Sequence, residues 1–125
     1  TKDIIKKAHY TSAKFPKHVS EFEQCDLKAE YLNGFLAPFV AESRLKIGLS
    51  LEDVVPIPAN DTLMVVGRVD HLIIDEKALE DQGYVNLSAI DTTGVSGLNS
   101  YYELNKLQDF PYARVSEVPN FKSSA

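Results

Sequence analysis

Two consecutive apolar segments in the middle of the chain constrain its fold more than any other feature. From Leu45 to Leu51, leucine and isoleucine alternate with lysine, glycine and serine. This period of two is typical of a strand with one buried face. After the turn "PIPAND", the segment from Leu63 to Ile74 is apolar on both faces apart from Arg68, Asp70 and His71. The second segment therefore predicts a strand that lies centrally in a sheet.

Short helical segments flank these strands. The N-terminal segment has the spacing of an amphipathic helix, which Pro16 ends. Ser20 and Glu23 have the spacing of a capping box, in which each side chain satisfies a backbone N–H of the other residue. We therefore predict a second, short helix that begins at Ser20. The stretch "DEKALEDQG" predicts a helical turn that ends at Gly83.

The remaining pattern is that of a β domain with helical decorations. Gly67, inside the second strand, marks a bulge or tight bend. The segment "YVNLSAI", which starts at Tyr84, predicts a brief strand or a further turn. Tyr101 and Tyr102 are neighbours on a later strand, so their rings are expected to face opposite ways. No repeat, low-complexity tract or linker marks a second domain, and we expect residues 1–125 to form a single, mostly β domain.

Composition restricts the classes of partner and compartment. The 13 basic residues are outnumbered by 18 acidic ones and are spread along the chain, which argues against a nucleic-acid partner. No apolar run approaches the roughly 18 residues that a membrane-spanning helix needs, and no signal peptide opens the sequence, so a cytoplasmic protein without a membrane partner is expected. Cys25 is the single cysteine, which excludes an internal disulfide and a multi-cysteine zinc site. We expect its thiol to be a half-buried apolar group.

The familiar catalytic and metal-binding motifs are missing. His9 and His18 lie nine residues apart across a proline, and neither an HExxH nor a paired-cysteine pattern is present, so no metal site is predicted. His71 alternates with apolar neighbours on a strand and is expected to be a core or rim residue. The stretch "GVSG" lacks the spacing of a nucleophile elbow, and no GxGxxG dinucleotide loop occurs. The residues alone therefore predict no catalytic acid, base or nucleophile.

Four blocks of the sequence carry a family resemblance. They are "AHYTSAKFPKHVSEFE", "PFVAESRLKIGLSLEDVVPI", "LMVVGRVDHLII" and "TTGVSGLNSYYEL". In order and spacing, from Ile4 to Val115, they resemble consecutive blocks of the flavin reductase-like family, the FMN-binding split-barrel proteins. The resemblance implies a split β-barrel and a homodimer that passes electrons from NAD(P)H to FMN or to a downstream acceptor. A non-catalytic flavin-binding protein of the same fold is the alternative.

The resemblance covers the C-terminal three fifths of such a protein. Family members usually begin with several strands that contribute to the FMN phosphate and ring sites, whereas this chain opens at Thr1 as a helix already under way. An incomplete barrel is therefore expected, and a chain that binds no flavin is a third alternative. The apolar segment from Leu63 to Ile74 and the aromatic region around Tyr101 favour a dimer, because a lone barrel of this size would struggle to cover them.

By resemblance, the turn at the end of the first helix lies beside the flavin. Thr11, Ser12 and the N–H groups near Ala13 are then small donors for flavin carbonyls or phosphate, and Lys14 adds positive charge. His9 is a further candidate contact to the cofactor. The competing interpretation is an ordinary helix end, with Thr11 and Ser12 bonded to the preceding turn and His9 in the core.

Tyr102 is the candidate for binding the substrate. The resemblance places Tyr101 and Tyr102 near the pocket where a nicotinamide or another electron donor stacks on the flavin. Packing of Tyr102 in the core or in a dimer interface is the alternative.

Overall fold

The structure is a computed structural model that describes residues 1–122, and strands dominate it. Within this range, pairs of antiparallel strands form three two-stranded sheets, β1–β2, β3–β4 and β5–β6, which do not close into a barrel. The helices are α1 (Ile5–Tyr10) and α2 (Glu21–Gln24), the strands are β1 (Ala29–Glu30), β2 (Phe39–Val40), β3 (Leu45–Ile57), β4 (Thr62–Ile74), β5 (Thr93–Ser96) and β6 (Ser100–Glu103), and 3-10 turns occupy Lys2–Ile4, Glu76–Ala78, Ser88–Ile90 and Val115–Glu117.

Both predicted N-terminal helices form. Helix α1 ends at Tyr10, well before Pro16, and α2 follows Ser20 as its N-cap residue. The Ser20 side chain makes no capping hydrogen bond. The prediction of the helix start is therefore confirmed, but the predicted reciprocal capping box is wrong, because the Ser20 hydroxyl accepts no hydrogen bond from the first turn of α2.

Strands β3 and β4 form a long hairpin. The register runs from Leu45 opposite Ile74 to Ile57 opposite Thr62, so β3 extends into "PIPAND" as far as Ile57, and β4 begins at Thr62, one residue before the predicted start. Residues 58–61 make the turn, and Asp61 has a positive φ of 54° there. Aspartate tolerates this left-handed conformation better than most residues with a side chain.

The predicted irregularity near Gly67 is present. Gly67 pairs with Leu51, and the register shifts between Leu51 and Asp53, which leaves Glu52 as the additional residue on β3. The bulge thus lies beside Gly67 but on the opposite strand. A Cβ added at Gly67 would lie 3.0 Å from the Leu49 Cβ, so a glycine also permits the close approach of the two strands.

The prediction that the second apolar strand lies centrally is wrong. In residues 1–122, β4 pairs with β3 and with no other strand. Leu63 and Val65 are each 65% exposed. Because the described residues place no third strand beside β4, its two-sided apolar pattern lies on an edge strand of this two-stranded sheet.

The buried core is small. Among the described apolar side chains, those of Cys25, Phe39, Ala78 and Ile90 are buried, and Cys25 is a free thiol. With 8% of its surface exposed, Cys25 is more deeply buried than the predicted half-buried group.

One face of the hairpin base is packed against the β1–β2 region. A Cβ added at Gly48 would lie 3.1 Å from the Cβ of its partner His71 and 3.2 Å from the Phe39 ring. The His71 ring meets Phe35 edge to face, with centroids 5.3 Å apart. His71 is half-buried, as predicted for a rim histidine, and Gly48 allows the hairpin to approach the aromatic rings.

The C-terminal half forms turns and a short hairpin. The stretch that ends at Gly83 contains the 3-10 turn Glu76–Ala78. For the segment from Tyr84, a brief strand or a further turn was predicted, and the segment ends in a 3-10 turn at Ser88–Ile90. Strands β5 and β6 then pair Gly94 with Tyr102 and Val95 with Tyr101. The two tyrosines alternate, as predicted: Tyr101 is half-buried and Tyr102 is exposed.

Candidate functional site

The turn after α1 closes the helix with its own side chains. The Thr11 hydroxyl donates a hydrogen bond to the Ala8 carbonyl at 2.7 Å, and the Ser12 hydroxyl donates one to the His9 carbonyl at 2.8 Å. The backbone N–H groups of Thr11 and Ser12 bond to the same two carbonyls, at 3.3 and 3.2 Å. Serine and threonine commonly bond back to the preceding turn in this way. The hydroxyl hydrogens therefore point into the helix in this structure.

The groups that remain available define what this turn can bind. The Ala13 N–H donates to the Tyr10 carbonyl at 3.1 Å and so is also engaged. Each hydroxyl oxygen of Thr11 and Ser12 keeps lone pairs that can accept a hydrogen bond. Lys14 is exposed and has no ion-pair partner in the part of the chain that the structure describes. The turn consequently offers small acceptors and one unpaired ammonium group.

His9 connects this turn to β6. Its Nδ1 lies 3.1 Å from the Tyr101 hydroxyl oxygen, and the two rings meet edge to face with centroids 5.8 Å apart. The sequence predicts His9 and Tyr102 as site residues, but it gives no sign that Tyr101 contacts His9. Strand alternation already placed the two tyrosines on opposite faces, but it did not indicate which face α1 covers.

Tyr102 lies on the other face of the β5–β6 hairpin. The residue is 55% exposed, and its hydroxyl oxygen accepts a hydrogen bond from the Ser96 hydroxyl at 3.1 Å. Neighbouring residues on a strand point in opposite directions, so Tyr102 faces away from His9. The structure thus groups His9 with Thr11, Ser12, Ala13 and Lys14 and leaves Tyr102 apart from them.

An ionic network holds the start of the chain against the sheets. Asp91 pairs with Lys2 at 2.8 Å and with Arg44 at 2.5 Å, and Lys2 also reaches Glu103 at 3.3 Å. The hydrogen bond from Lys2, followed by that from Arg44, lowers the pKa of Asp91, and the bonds to Asp91 and Glu103 raise the pKa of Lys2. These contacts attach the N-terminal turn to β6 and to the start of β3. They thereby help to hold α1 where His9 meets Tyr101.

A cleft of about 520 Å³ lies away from the predicted residues. Acidic and aromatic side chains line it, among them Glu80, Tyr84, Asp109 and Phe110. At its acidic residues, Lys106 pairs with Glu80 at 2.7 Å and with Asp109 at 2.6 Å. These two carboxylates raise the pKa of Lys106, Asp109 having the larger effect. The Lys106 ammonium group therefore forms ion pairs with two carboxylates that line this cleft.

Residues 1–122 contain neither a metal-binding cluster nor a membrane-spanning helix. In that range, no group of three or more histidine, cysteine, aspartate or glutamate side chains is arranged to hold a metal ion. None of the helices between Thr1 and Lys122 has the length and apolar character needed to cross a membrane.

Solved structures share this fold. A flavin reductase with a split barrel domain from Shewanella frigidimarina NCIMB 400 is 43% identical over 89% of this chain, with a TM-score of 0.85. Nitrilotriacetate monooxygenase component B from Bacillus cereus is 22% identical over 85% of the chain, with a TM-score of 0.68. Flavoredoxin of Desulfovibrio vulgaris (Miyazaki F) is 18% identical over 90%, with a TM-score of 0.72. No family model and no curated protein matches the sequence.

The chain belongs to the flavin reductase-like, split-barrel family. It spans 56% of the Shewanella protein, 54% of the Bacillus protein and 60% of flavoredoxin. The last two are too distant in sequence to show more than the fold. The match confirms the predicted family and the predicted mostly β fold of the split-barrel type.

Proposed function

We propose that this chain forms part of an FMN-binding oxidoreductase that passes electrons from NAD(P)H to FMN or to a downstream acceptor. The observation that supports it most is the 43% identity, over 89% of the chain, with a flavin reductase. In such a protein the flavin supplies the redox chemistry, while the chain binds and orients it. A site without a catalytic acid, base or nucleophile is compatible with this division of roles.

The turn from Thr11 to Lys14 is the proposed flavin contact. Its side chains fit a flavin in two respects, because the Lys14 ammonium group is unpaired within residues 1–122 and the other side chains are small. The ammonium group would attract the FMN phosphate, and small side chains let the backbone approach a planar ring. The Thr11 and Ser12 oxygens, whose hydrogens bond to the helix, would accept hydrogen bonds from the flavin rather than donate them.

His9 is proposed to contact the cofactor from the same end of α1. The Tyr101 hydroxyl group bonds to its Nδ1, so its Nε2 is the ring nitrogen that remains for a ligand. Either ring nitrogen of a neutral histidine can carry the proton, and the group bonded to the other nitrogen helps to select the tautomer. Tyr101 would thus orient His9.

Tyr102 is the proposed contact for the nicotinamide. Its exposed ring is available for stacking, and the bond from Ser96 restrains its hydroxyl end.

We further propose a homodimer, which would cover the apolar residues of β4. We also propose a cytoplasmic location, because NAD(P)H is an intracellular electron donor.

Flavin titration and NAD(P)H oxidation test this function in two stages. FMN is added to the purified chain while flavin fluorescence is followed, and NADH or NADPH oxidation is then measured with FMN present. Saturable binding and oxidation above the rate with free FMN are expected. Binding without oxidation would instead support the non-catalytic alternative, and no binding would support a chain that does not hold flavin by itself.

A matched pair of lysine variants tests the site separately. Lys14→Met removes the charge proposed to face the phosphate, whereas Lys17→Met removes an exposed charge three residues further along the same loop. We expect weaker FMN binding for the first variant only. Equal affinities would contradict the placement of the phosphate at Lys14.

A further inference from the structure

The N-terminal segment, from Lys2 to His9, contacts β6 at both of its ends. The Lys2 ammonium group lies 3.3 Å from a carboxylate oxygen of Glu103, and His9 Nδ1 lies 3.1 Å from the Tyr101 hydroxyl oxygen. Residues two apart on a strand lie on the same face, so Tyr101 and Glu103 present one face of β6 to this segment. One contact near each end therefore sets how α1 lies on the strand.

Within residues 2–10, no buried side chain anchors the segment. Ile4 and Ile5 are only half-buried. Helix α1 has six residues, whereas an isolated helix shorter than roughly 12 to 15 residues is marginal in water. The polar contacts that this segment makes with the rest of the chain are therefore important for where α1 lies.

Asp91 holds the start of the segment with both its backbone and its side chain. Its carbonyl oxygen accepts the Lys2 backbone N–H at 2.9 Å, and one carboxylate oxygen pairs with the Lys2 ammonium group at 2.8 Å. The other carboxylate oxygen pairs with Arg44, the residue before β3, at 2.5 Å. Asp91 thus fastens the segment to the body of the chain at the end opposite His9.

A second charged tether of α1 is more exposed to water. The Lys7 ammonium group bonds to the Asp26 carboxylate at 2.6 Å, and the Asp26 side chain is 93% exposed. The Asp91 side chain is only 28% exposed. Exposed ion pairs contribute little because water and salt weaken them, whereas partly buried pairs are screened less. Of these two tethers, the one at Asp91 is therefore expected to hold α1 more firmly.

We propose that Asp91 is a positioning residue for the flavin site, because through Lys2 and Arg44 it holds α1 on β6 and so presents the turn after α1 to the cofactor. This inference rests on the proposed function and names the residue that sets where the turn lies. Lys2 and His9 are seven residues apart, which is about 10 Å along a helix. Without the contact at Lys2, α1 would keep its contact with β6 at His9 alone.

FMN titration of a matched pair of variants tests the role of Asp91. Asp91→Asn removes the charge but suits the positive φ of 53°, which asparagine tolerates as well as aspartate does. Glu80→Gln is the control, because Glu80 pairs with Lys106 at 2.7 Å away from α1 and its side chain is similarly exposed, at 32%. We expect the dissociation constant for FMN to rise roughly fivefold for Asp91→Asn and to stay unchanged for the control.

The direction of the change separates position from charge. Loss of a carboxylate leaves the chain more positive, and by charge alone this would strengthen the binding of an anionic phosphate. Weaker binding of FMN by Asp91→Asn therefore indicates a displaced turn. Unchanged or tighter binding of FMN by this variant would overturn the inference.

NMR signals of the histidine rings test the position of α1 without flavin. The three histidines are His9, the exposed His18 and the half-buried His71, so two of them serve as internal references. We expect Asp91→Asn to shift the ring signals of His9 alone, because its contact with Tyr101 changes. Glu80→Gln should shift none of the three. An unchanged His9 signal in Asp91→Asn would contradict the inference even if FMN binding weakened.

The two experiments keep this inference and the proposed function distinguishable. A wild-type chain that binds no FMN, with a shifted His9 signal in Asp91→Asn, would overturn the proposed function and leave Asp91 as the residue that positions α1. A wild-type chain that binds FMN as tightly as Asp91→Asn does would overturn this inference alone.

Discussion

His9 Nδ1 lies 3.1 Å from the hydroxyl oxygen of Tyr101, a contact that joins the end of α1 to β6 across 92 positions of the sequence. Both side chains are half-buried, and their rings meet edge to face. The contact brings the turn proposed to bind flavin next to the hairpin that carries Tyr102. It therefore links the two parts of the proposed site, although Tyr102 itself faces the other way.

Removal of the Tyr101 hydroxyl group should affect both stability and flavin binding. Tyr101→Phe keeps the ring contact but leaves His9 Nδ1 without this partner, so we expect a loss of about 0.5 to 1.5 kcal/mol in the free energy of unfolding. FMN affinity should fall as well if His9 contacts the cofactor. Urea denaturation and fluorescence titration measure the two effects. Tyr102→Phe is the control for stability, because its hydroxyl group bonds to Ser96 on the exposed face.

Replacement of both hydroxyl groups in the turn separates its two interpretations. Thr11→Val with Ser12→Val removes the proposed acceptors, and FMN binding should weaken by about 1 to 3 kcal/mol. Stability should change little, because the Ala8 and His9 carbonyls keep their backbone N–H partners. Unchanged FMN affinity, or a large loss of stability, would instead indicate that these residues serve only as a helix end.

The Asp91 network should make stability depend on pH in the acid range. Because Lys2 and Arg44 lower the pKa of Asp91 in the folded state, the stabilisation is present above the unfolded value of about 3.9 and is lost as the pH falls through the lower, folded pKa. Asp91→Asn should reduce stability at pH 7 and flatten the acid limb of the stability curve. Urea denaturation between pH 7 and pH 2 measures both.

The control for this prediction is Asp81→Asn, an exposed residue with no ion pair in the described part of the chain. Its stability curve should follow that of the wild type. If the Asp91→Asn curve kept the wild-type acid limb, Asp91 would not be the group responsible.

A methyl group at Gly48 should destabilise the base of the hairpin. In Gly48→Ala the new Cβ would lie 3.1 Å from His71 Cβ and 3.2 Å from the buried Phe39 ring, and overpacking of this kind costs about 1 to 3 kcal/mol. Gly94→Ala is the matched control. Its nearest neighbour is the Leu104 Cδ2 at 3.0 Å, a methyl end that can rotate away. Thermal or urea unfolding should therefore show a clearly larger loss for Gly48→Ala than for Gly94→Ala.

Local features of this protein were predictable from its sequence. Pro16 cannot continue a helix, so a helix end upstream of it was predictable, although α1 already ends at Tyr10. The alternation in Leu45 to Leu51 predicted β3, and the same period of two placed Tyr101 and Tyr102 on opposite faces. The ordered blocks predicted the family that the Shewanella structure confirms. Each of these depends on residues that are neighbours in the chain or on a pattern of such neighbours.

Tertiary structure decided whatever depends on distant residues. An apolar period shows that a strand has surfaces suited to burial, but not which element covers them, so β4 was wrongly expected at the centre of a sheet. The Thr11 and Ser12 hydroxyl groups can bond either to a ligand or to a carbonyl of the preceding helical turn. Only the structure shows that they donate hydrogen bonds to the helix carbonyls. The contact of His9 with Tyr101 depends on how α1 meets a strand 92 residues later, and no local pattern encodes that meeting. Packing selects among the partners that each residue could accept, because the free energy of burial depends on what the folded chain brings into contact.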